Sequence, residues 1–294
     1  MRQWWLGMLV WLGLGSGALA EPLVVVSSTI LADWTSTLAQ GSPIRVVSLL
    51  QPGDDPHLYE PTPRDSRLMA EADLILTHGH NLEPGILKMV QLSSRPHVAV
   101  GEKILNPPVA DPHLWGNVSL SQQMVQVISD KLQTLLPPAA QAGIQANTQA
   151  YRKQLQALHE WIPRQIQTIP PSQRLLVTTH DAFQYYSQAY GIPILGTLIG
   201  ISTEEQPSAR TVAQLVQAIR QARIPTIFAE TTLNPALIAT VAREAKVQVW
   251  PTPLYSDSLG SPGSPGATYV GMMVSNTCAI VTGLGGNCQP FEQP

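Results

Sequence analysis

Hydrophobic positions in this chain follow two alternating rhythms. Short β-branched runs give way to segments whose apolar residues recur every three or four positions. Leu23 to Val26 reads as a strand, and the stretch after Ser27-Ser28-Thr29 as a helix through Gln40. Gly41-Ser42-Pro43 breaks that helix, and Ile44 to Leu50 reads as a second strand. Thr62-Pro63-Arg64-Asp65 is a helix start, with Thr as cap, Pro at the first helical position and an acid three residues after the cap. That helix runs to about Ala72, and "DLILTHG" follows as a buried strand. A helix is expected around Pro84 to Leu92, and "HVAV" from His97 is a short strand. Ser119-Leu120-Ser121-Gln122 has the form of a capping box for a helix that ends at Pro137-Pro138.

Helical spacing then continues from Ala139 to about Gln167, with Tyr151, Leu155, Leu158 and Ile162 along one stripe. A helix of that length spans roughly 40 Å, enough to connect two lobes. Beyond it the alternation resumes. "RLLVTT" reads as a strand, Asp181 to Ala189 as a helix stopped by Gly191, and Ser208 to Ala222 as a helix. "TIFAE" and "VQVW" read as strands on either side of a helix from Pro235 to Ala245. A Pro/Gly/Ser-rich loop precedes a last helix from Tyr269 to about Leu284. Strands alternating with helices predict an α/β protein with parallel sheets. The expected organisation is an N-terminal lobe over 21–137, a connector helix over 138–167 and a C-terminal lobe over 168–294.

The first twenty residues change this picture only at the edge. Arg2 precedes a short apolar run that ends in Ala18-Leu19-Ala20, the pattern of a secretory signal peptide cleaved after Ala20. The apolar core from Trp4 to Leu14 is short for a membrane span, and no Cys near the cleavage site offers a lipid attachment point. The expectation is a periplasmic protein with no membrane insertion after cleavage. Without Arg2 the formal charge moves from −3 to −4, and no basic run invites nucleic acid. Cys278 and Cys288 are the only cysteines. In an oxidising compartment they are candidates for a disulfide.

The chemistry concentrates in histidine. The chain has seven, and two occur in the same tetrapeptide, Asp55-Pro56-His57-Leu58 and Asp111-Pro112-His113-Leu114. Each follows a predicted strand, and each proline stiffens the loop that carries the imidazole. His180 directly follows the strand "RLLVTT", and Asp257 lies in "PLYSDSLG" after "VQVW". Open α/β sheets bind ligands outside the carboxyl ends of their strands. Three imidazoles and a carboxylate suit a first-row divalent metal, zinc above all, and not calcium or magnesium. Asp55 and Asp111 read as turn formers. His78 and His80 read as structural or surface residues, and His97 and His159 as bystanders. Spacing alone leaves the four-residue site and four unrelated loop residues about equally open.

The strings "PGDDPHLYEPTPRD", "DPHLW", "THDAFQYYSQAYG", "GISTEEQPSAR" and "PLYSDSLG…GATYVGMMVSN" together resemble the cluster A-I (cluster 9) solute-binding proteins, which deliver zinc, manganese or iron to ABC importers. The resemblance spans essentially the whole chain after the leader. It implies two α/β lobes joined by one long helix, with a metal held in the cleft between them. It implies His57, His113, His180 and Asp257 as ligands, two from each lobe. Glu230 matches an acidic position expected to support a ligand, and Arg210 is a candidate partner for an acid near the cleft. The implied partners are the membrane subunits of an ABC permease, served by a monomer.

The resemblance leaves the metal open. The donor set favours Zn²⁺ by affinity order, with Mn²⁺ next and Fe²⁺ possible. Zinc-specific relatives often carry a His-rich loop between the first two ligands, and this chain has only "ILNPPVA" there. Two other readings compete. One is a metal buffer or chaperone that serves no permease. The other is an exported metallohydrolase, disfavoured because four protein ligands close the zinc shell and no H-E-x-x-H signature is present.

Overall fold

The computed structural model describes residues 21–106 and 109–294, so the expected leader lies outside the described residues. The N-terminal lobe contains β1 (Leu23–Val26), α1 (Thr29–Ala39), β2 (Arg45–Ser48), α2 (Pro63–Glu71), β3 (Leu74–Thr77), α3 (Pro84–Gln91), β4 (His97–Ala99) and α4 (Val118–Thr134). Its four strands form one parallel sheet in the order β2-β1-β3-β4. Every residue of β1 is buried, which is why it reads as an unbroken apolar run instead of alternating. Val24 and Val26 face the main core while Leu23 and Val25 face a second core on the other side.

The chain crosses to the C-terminal lobe through a single helix, α5 (Pro138–Ile166). Its 29 residues span about 43 Å. The C-terminal lobe contains β5 (Leu176–Thr178), α6 (Gln184–Tyr190), β6 (Ile194–Thr197), α7 (Ala209–Ala222), β7 (Thr226–Ile227), α8 (Pro235–Ala245), β8 (Gln248–Val249) and α9 (Tyr269–Gly283). Two parallel ladders, β5-β6 and β7-β8, lie side by side because the Phe228 N–H donates to Val177 O at 3.0 Å. The resulting order, β6-β5-β7-β8, repeats that of the first lobe. The α/β class, the two lobes and the single connector all hold.

One apolar cluster runs through both lobes behind α5. It includes Trp34 of α1, Leu155 of α5, Tyr186 of α6 and Tyr269 of α9. The rings of Trp34 and Tyr269 meet edge-on at 5.0 Å, and the Tyr269 N–H donates to Asp33. The lobes are therefore packed together at their backs as well as joined by a helix. Cys278 and Cys288 are disulfide-bonded and tie α9 to the C-terminal segment. No helix among the described residues is long and apolar enough to cross a membrane.

Three local expectations are corrected, and one strand is added. The cap of α4 is Asn117, whose side chain accepts from the Ser119 N–H, and not Ser119 itself. The helix expected from Asp181 starts at Gln184, because the N–H groups of Thr179 and His180 are bonded to Glu230 and the chain there turns into the cleft. "TIFAE" is a two-residue strand that continues only as a single bridge from Glu230 to Leu254. β6 was not expected at all.

Candidate metal centre

In both sheets the chain leaves the first strand for one neighbour and later returns to the other side. That reversal opens a crevice at the carboxyl ends of the strands. The two crevices face each other, and the loops after β2, β4, β5 and β8 carry His57, His113, His180 and Asp257 into the space between them. One donor atom from each of the four lies within 4.8 Å of all the others. All four residues are buried, with His113 and His180 fully so.

The two Asp-Pro-His loops fold alike. Asp55 Oδ1 accepts from the His57 N–H at 2.9 Å, and Asp111 Oδ1 from the His113 N–H at 3.0 Å. Each is an Asx turn that sets the direction of the following imidazole. The second does more. Asp111 Oδ1 also accepts from His113 Nδ1 at 2.7 Å, which leaves Nε2 as the ring's inward donor.

In the other lobe Glu230 organises His180. Its Oε1 accepts the N–H groups of Thr179 and His180, both at 2.8 Å. Its Oε2 accepts from His180 Nδ1. His180 Nε2 is thereby aimed at Asp257, whose Oδ2 lies 3.1 Å away.

Inside the cleft His57 Nε2 and His113 Nε2 are 3.3 Å apart, and His113 Nε2 is 3.3 Å from Asp257 Oδ1. Four donors placed tetrahedrally about 2.0–2.1 Å from a zinc ion are separated by about 3.3 Å. His180 Nε2 and both Asp257 oxygens make no hydrogen bond of acceptable geometry, close as they are. Buried polar atoms that converge without bonding one another are the arrangement of a cation cradle.

The electrostatics follow from burial and three carboxylates, Glu230, Asp257 and Asp111. Burial pushes His57 down to about 4, so it is neutral near pH 7. Burial opposes charge on His180 as well, but Glu230 and Asp257 outweigh it and hold the ring well above the usual imidazole range. His113 is raised in the same way by Asp111 and Asp257. Asp257 is held well below the usual carboxylate range despite its burial, chiefly by His180.

Other predicted residues fall elsewhere. Glu230 sits behind His180. Arg210 is exposed on the first turn of α7, with no acid within ion-pair distance among the described residues. Val212 packs on the core, and two residues earlier lies roughly 200° around a helix, so Arg210 faces solvent. His97 is exposed and bonded to Thr77, and His159 is bonded to Tyr190. His78 and His80 are buried. His78 bonds Ser28 at 2.8 Å and lies 4.7 Å from the Trp115 ring, directly beneath the site.

Several residues at the cleft carry no sequence signal of their own. Trp115 donates across the lobes to Ser256 O at 2.9 Å. The Gly53 N–H donates to Ser258 Oγ at 2.9 Å, and the Leu259 N–H to Thr29 Oγ1 at 2.9 Å. Tyr185 donates to Asp111 O at 3.2 Å. Thr203 donates to Asp55 Oδ2 at 2.7 Å. For Trp115 and Ser258, adjacency to a candidate ligand motif was the available hint.

Comparison with known proteins gives a consistent set of matches. The family model described as zinc-uptake complex component A, periplasmic, matches residues 24–283. The zinc-binding protein TroA of Treponema pallidum (strain Nichols) is 37% identical over 278 residues, covering 90% of this chain and 89% of that protein. The manganese-binding lipoprotein MntA of Halalkalibacterium halodurans is 32% identical over 267 residues, with 89% and 88% covered. Among solved structures, the periplasmic zinc-binding protein TroA of Treponema pallidum superposes with a TM-score of 0.85 at 35% identity, covering 90% of this chain and 99% of that one. Fe(III)-bound YtgA of Chlamydia trachomatis superposes with a TM-score of 0.83 at 25% identity, covering 92% and 100%.

Proposed function

The chain belongs to the zinc-uptake component A family of metal-binding proteins that serve ABC importers, and we propose that it captures one divalent transition metal between its lobes through His57, His113, His180 and Asp257. The observation that carries this reading is the convergence of four buried donors, two from each lobe, within 4.8 Å of one another, with neighbouring pairs at 3.1–3.3 Å, close to the separation of donors around a tetrahedral zinc ion. Metal bound there bridges the lobes. Asp111 and Glu230 accept the outer ring protons of His113 and His180, so once an incoming ion displaces the Nε2 proton each ring is already oriented to ligate it.

Three nitrogens and one carboxylate rank Zn²⁺ above Mn²⁺, and we take zinc as the first cargo and manganese as the second. Relatives named for zinc and for manganese support both. We read the protein as a binding protein and not an enzyme, since four protein donors leave no open position for a reacting water. Its receiver in this reading is the membrane part of an ABC importer, reached by a monomer exported after cleavage behind Ala20 without a lipid. The Cys278–Cys288 bond suits that extracytoplasmic setting.

The test is metal content and competitive titration. Purified protein is expected to bind one Zn²⁺ per chain and to prefer it to Mn²⁺, and His113→Ala to weaken binding at least a hundredfold. Unchanged affinity in both His57→Ala and His180→Ala overturns the site.

A further inference from the structure

The two Asp-Pro-His turns share a sequence but not a use of their carboxylates. An Asx turn needs one oxygen, and in both loops Oδ1 supplies it. Asp111 spends that same oxygen on its own histidine ring and leaves Oδ2 without a partner. Asp55 directs its second oxygen across the cleft, where it accepts from the Thr203 hydroxyl at 2.7 Å. Nothing in the turn requires that bond.

Thr203 is an unusual member of its own segment. It lies in the loop between β6 and α7, and from residue 201 to 210 it is the one buried residue. Glu204, Glu205 and Gln206 directly after it are exposed. A hydroxyl buried in an otherwise wet loop marks the point where that loop presses on the opposite lobe. The base of the loop is pinned beside His180. The N–H groups of Leu198 and Ile199 both donate to Thr179 O, at 3.0 and 2.9 Å, and the Asp181 N–H donates to Gly200 O at 3.2 Å. A continuous bonded path therefore runs from the His57 backbone through Asp55 and Thr203 to the residues on either side of His180. It joins a donor of one lobe to a donor of the other without passing through the metal position.

From this geometry we propose that Asp55 and Thr203 are positioning residues that latch the closed cleft and set the rate of metal release. The inference rests on the metal-capture reading above. Moving the cleft loops apart to let metal out breaks the Thr203–Asp55 bond, loosens the turn that aims His57 and leaves a partly buried carboxylate short of a partner. A hydrogen bond to a charged group has a strength that corresponds to about ten- to a hundredfold in a rate or equilibrium. The latch closes once the two cleft loops have met over the ion, so that factor falls on dissociation and not on association.

Stopped-flow mixing of Zn²⁺-loaded protein with excess chelator measures release, and mixing metal-free protein with Zn²⁺ measures capture. Thr203→Val keeps the shape of the side chain and removes the hydroxyl. It is expected to speed release at least tenfold, with the capture rate and one-to-one stoichiometry unchanged. Thr203→Ser restores the hydroxyl and is expected to release at close to the wild-type rate. In an Asp55→Asn background, Thr203→Val is expected to have a smaller effect than in wild type, since its charged partner is already gone. Wild-type release by Thr203→Val with stoichiometry intact overturns the latch. So does equally fast release by the Val and Ser variants, which assigns the effect to loop packing. If wild-type protein binds no Zn²⁺, the capture reading itself fails, and the latch with it.

Discussion

At the level of single residues the centre is a contest between a proton and a metal ion. Glu230 and Asp257 hold His180 well above the ordinary imidazole range, and Asp111 and Asp257 raise His113. A metal ligates only the ring with a free Nε2. Binding therefore strengthens as pH rises through these raised values and weakens as pH falls, with a proton displaced at each ring. His57 behaves in the opposite way. Burial keeps it neutral down to about 4, so it adds no loss across the neutral range. Zinc affinity measured by competition from pH 8 to pH 5 is expected to fall by up to about tenfold per pH unit for each proton displaced. Isothermal titration in buffers of different ionisation enthalpy is expected to register proton release. A flat profile contradicts the assignment. The candidate ligands were visible in sequence because proline and strand-end position single them out. The ring bond of Asp111 was not, since a turn former and a turn former that also holds an imidazole have the same sequence. The motif gave Arg210 a place in the chain, and only the phase of α7 gave it a direction, toward solvent.

At the level of elements, what was legible was what local chemistry decides. The α2 start is a complete capping box. Thr62 accepts from the Asp65 N–H, and Asp65 Oδ2 accepts from the Thr62 N–H at 2.7 Å. The same oxygen accepts from the Tyr59 hydroxyl at 3.0 Å, so the cap also secures the segment that leaves His57. Thr62→Ala is expected to cost about 1 kcal/mol and to lower the melting temperature by about 2–4 °C, readable by calorimetry on metal-free protein. No change in melting temperature sinks the claim that this cap bears on stability. Elements decided by distant partners were less legible. β6, "ILGT", is short, half-buried along its length and interrupted by Gly196. It is a strand because β5 lies beside it. The start of α6 was misplaced because Glu230, fifty residues away in the chain, takes the N–H of His180.

At the level of the whole molecule, the question is how far two lobes on one connector move when metal leaves. A hinge of a few extended strands allows a wide opening. Here α5 buries Tyr151, Leu155, Leu158 and Ile162 along one continuous stripe, in a core that reaches α1 and α9. Trp34 and Tyr269 lie 235 positions apart in sequence and in contact in space, a pairing that no local pattern could disclose. Opening the lobes widely would pull this shared core apart and expose large apolar side chains to water. Metal release is therefore expected to proceed by local movement of the cleft loops. The melting temperature and the overall dimensions then report different things. Saturating zinc at about a hundred times its dissociation constant adds about 2.7 kcal/mol, or about 5–10 °C in melting temperature. Removing it with a chelator is expected to reverse that shift. The radius of gyration by solution X-ray scattering is expected to stay near about 19 Å for the 274 residues after the leader in both states. A clear expansion on chelation, with the secondary structure intact, would show that the lobes part at the back as well as at the cleft, and the shared core could not then be what limits their motion.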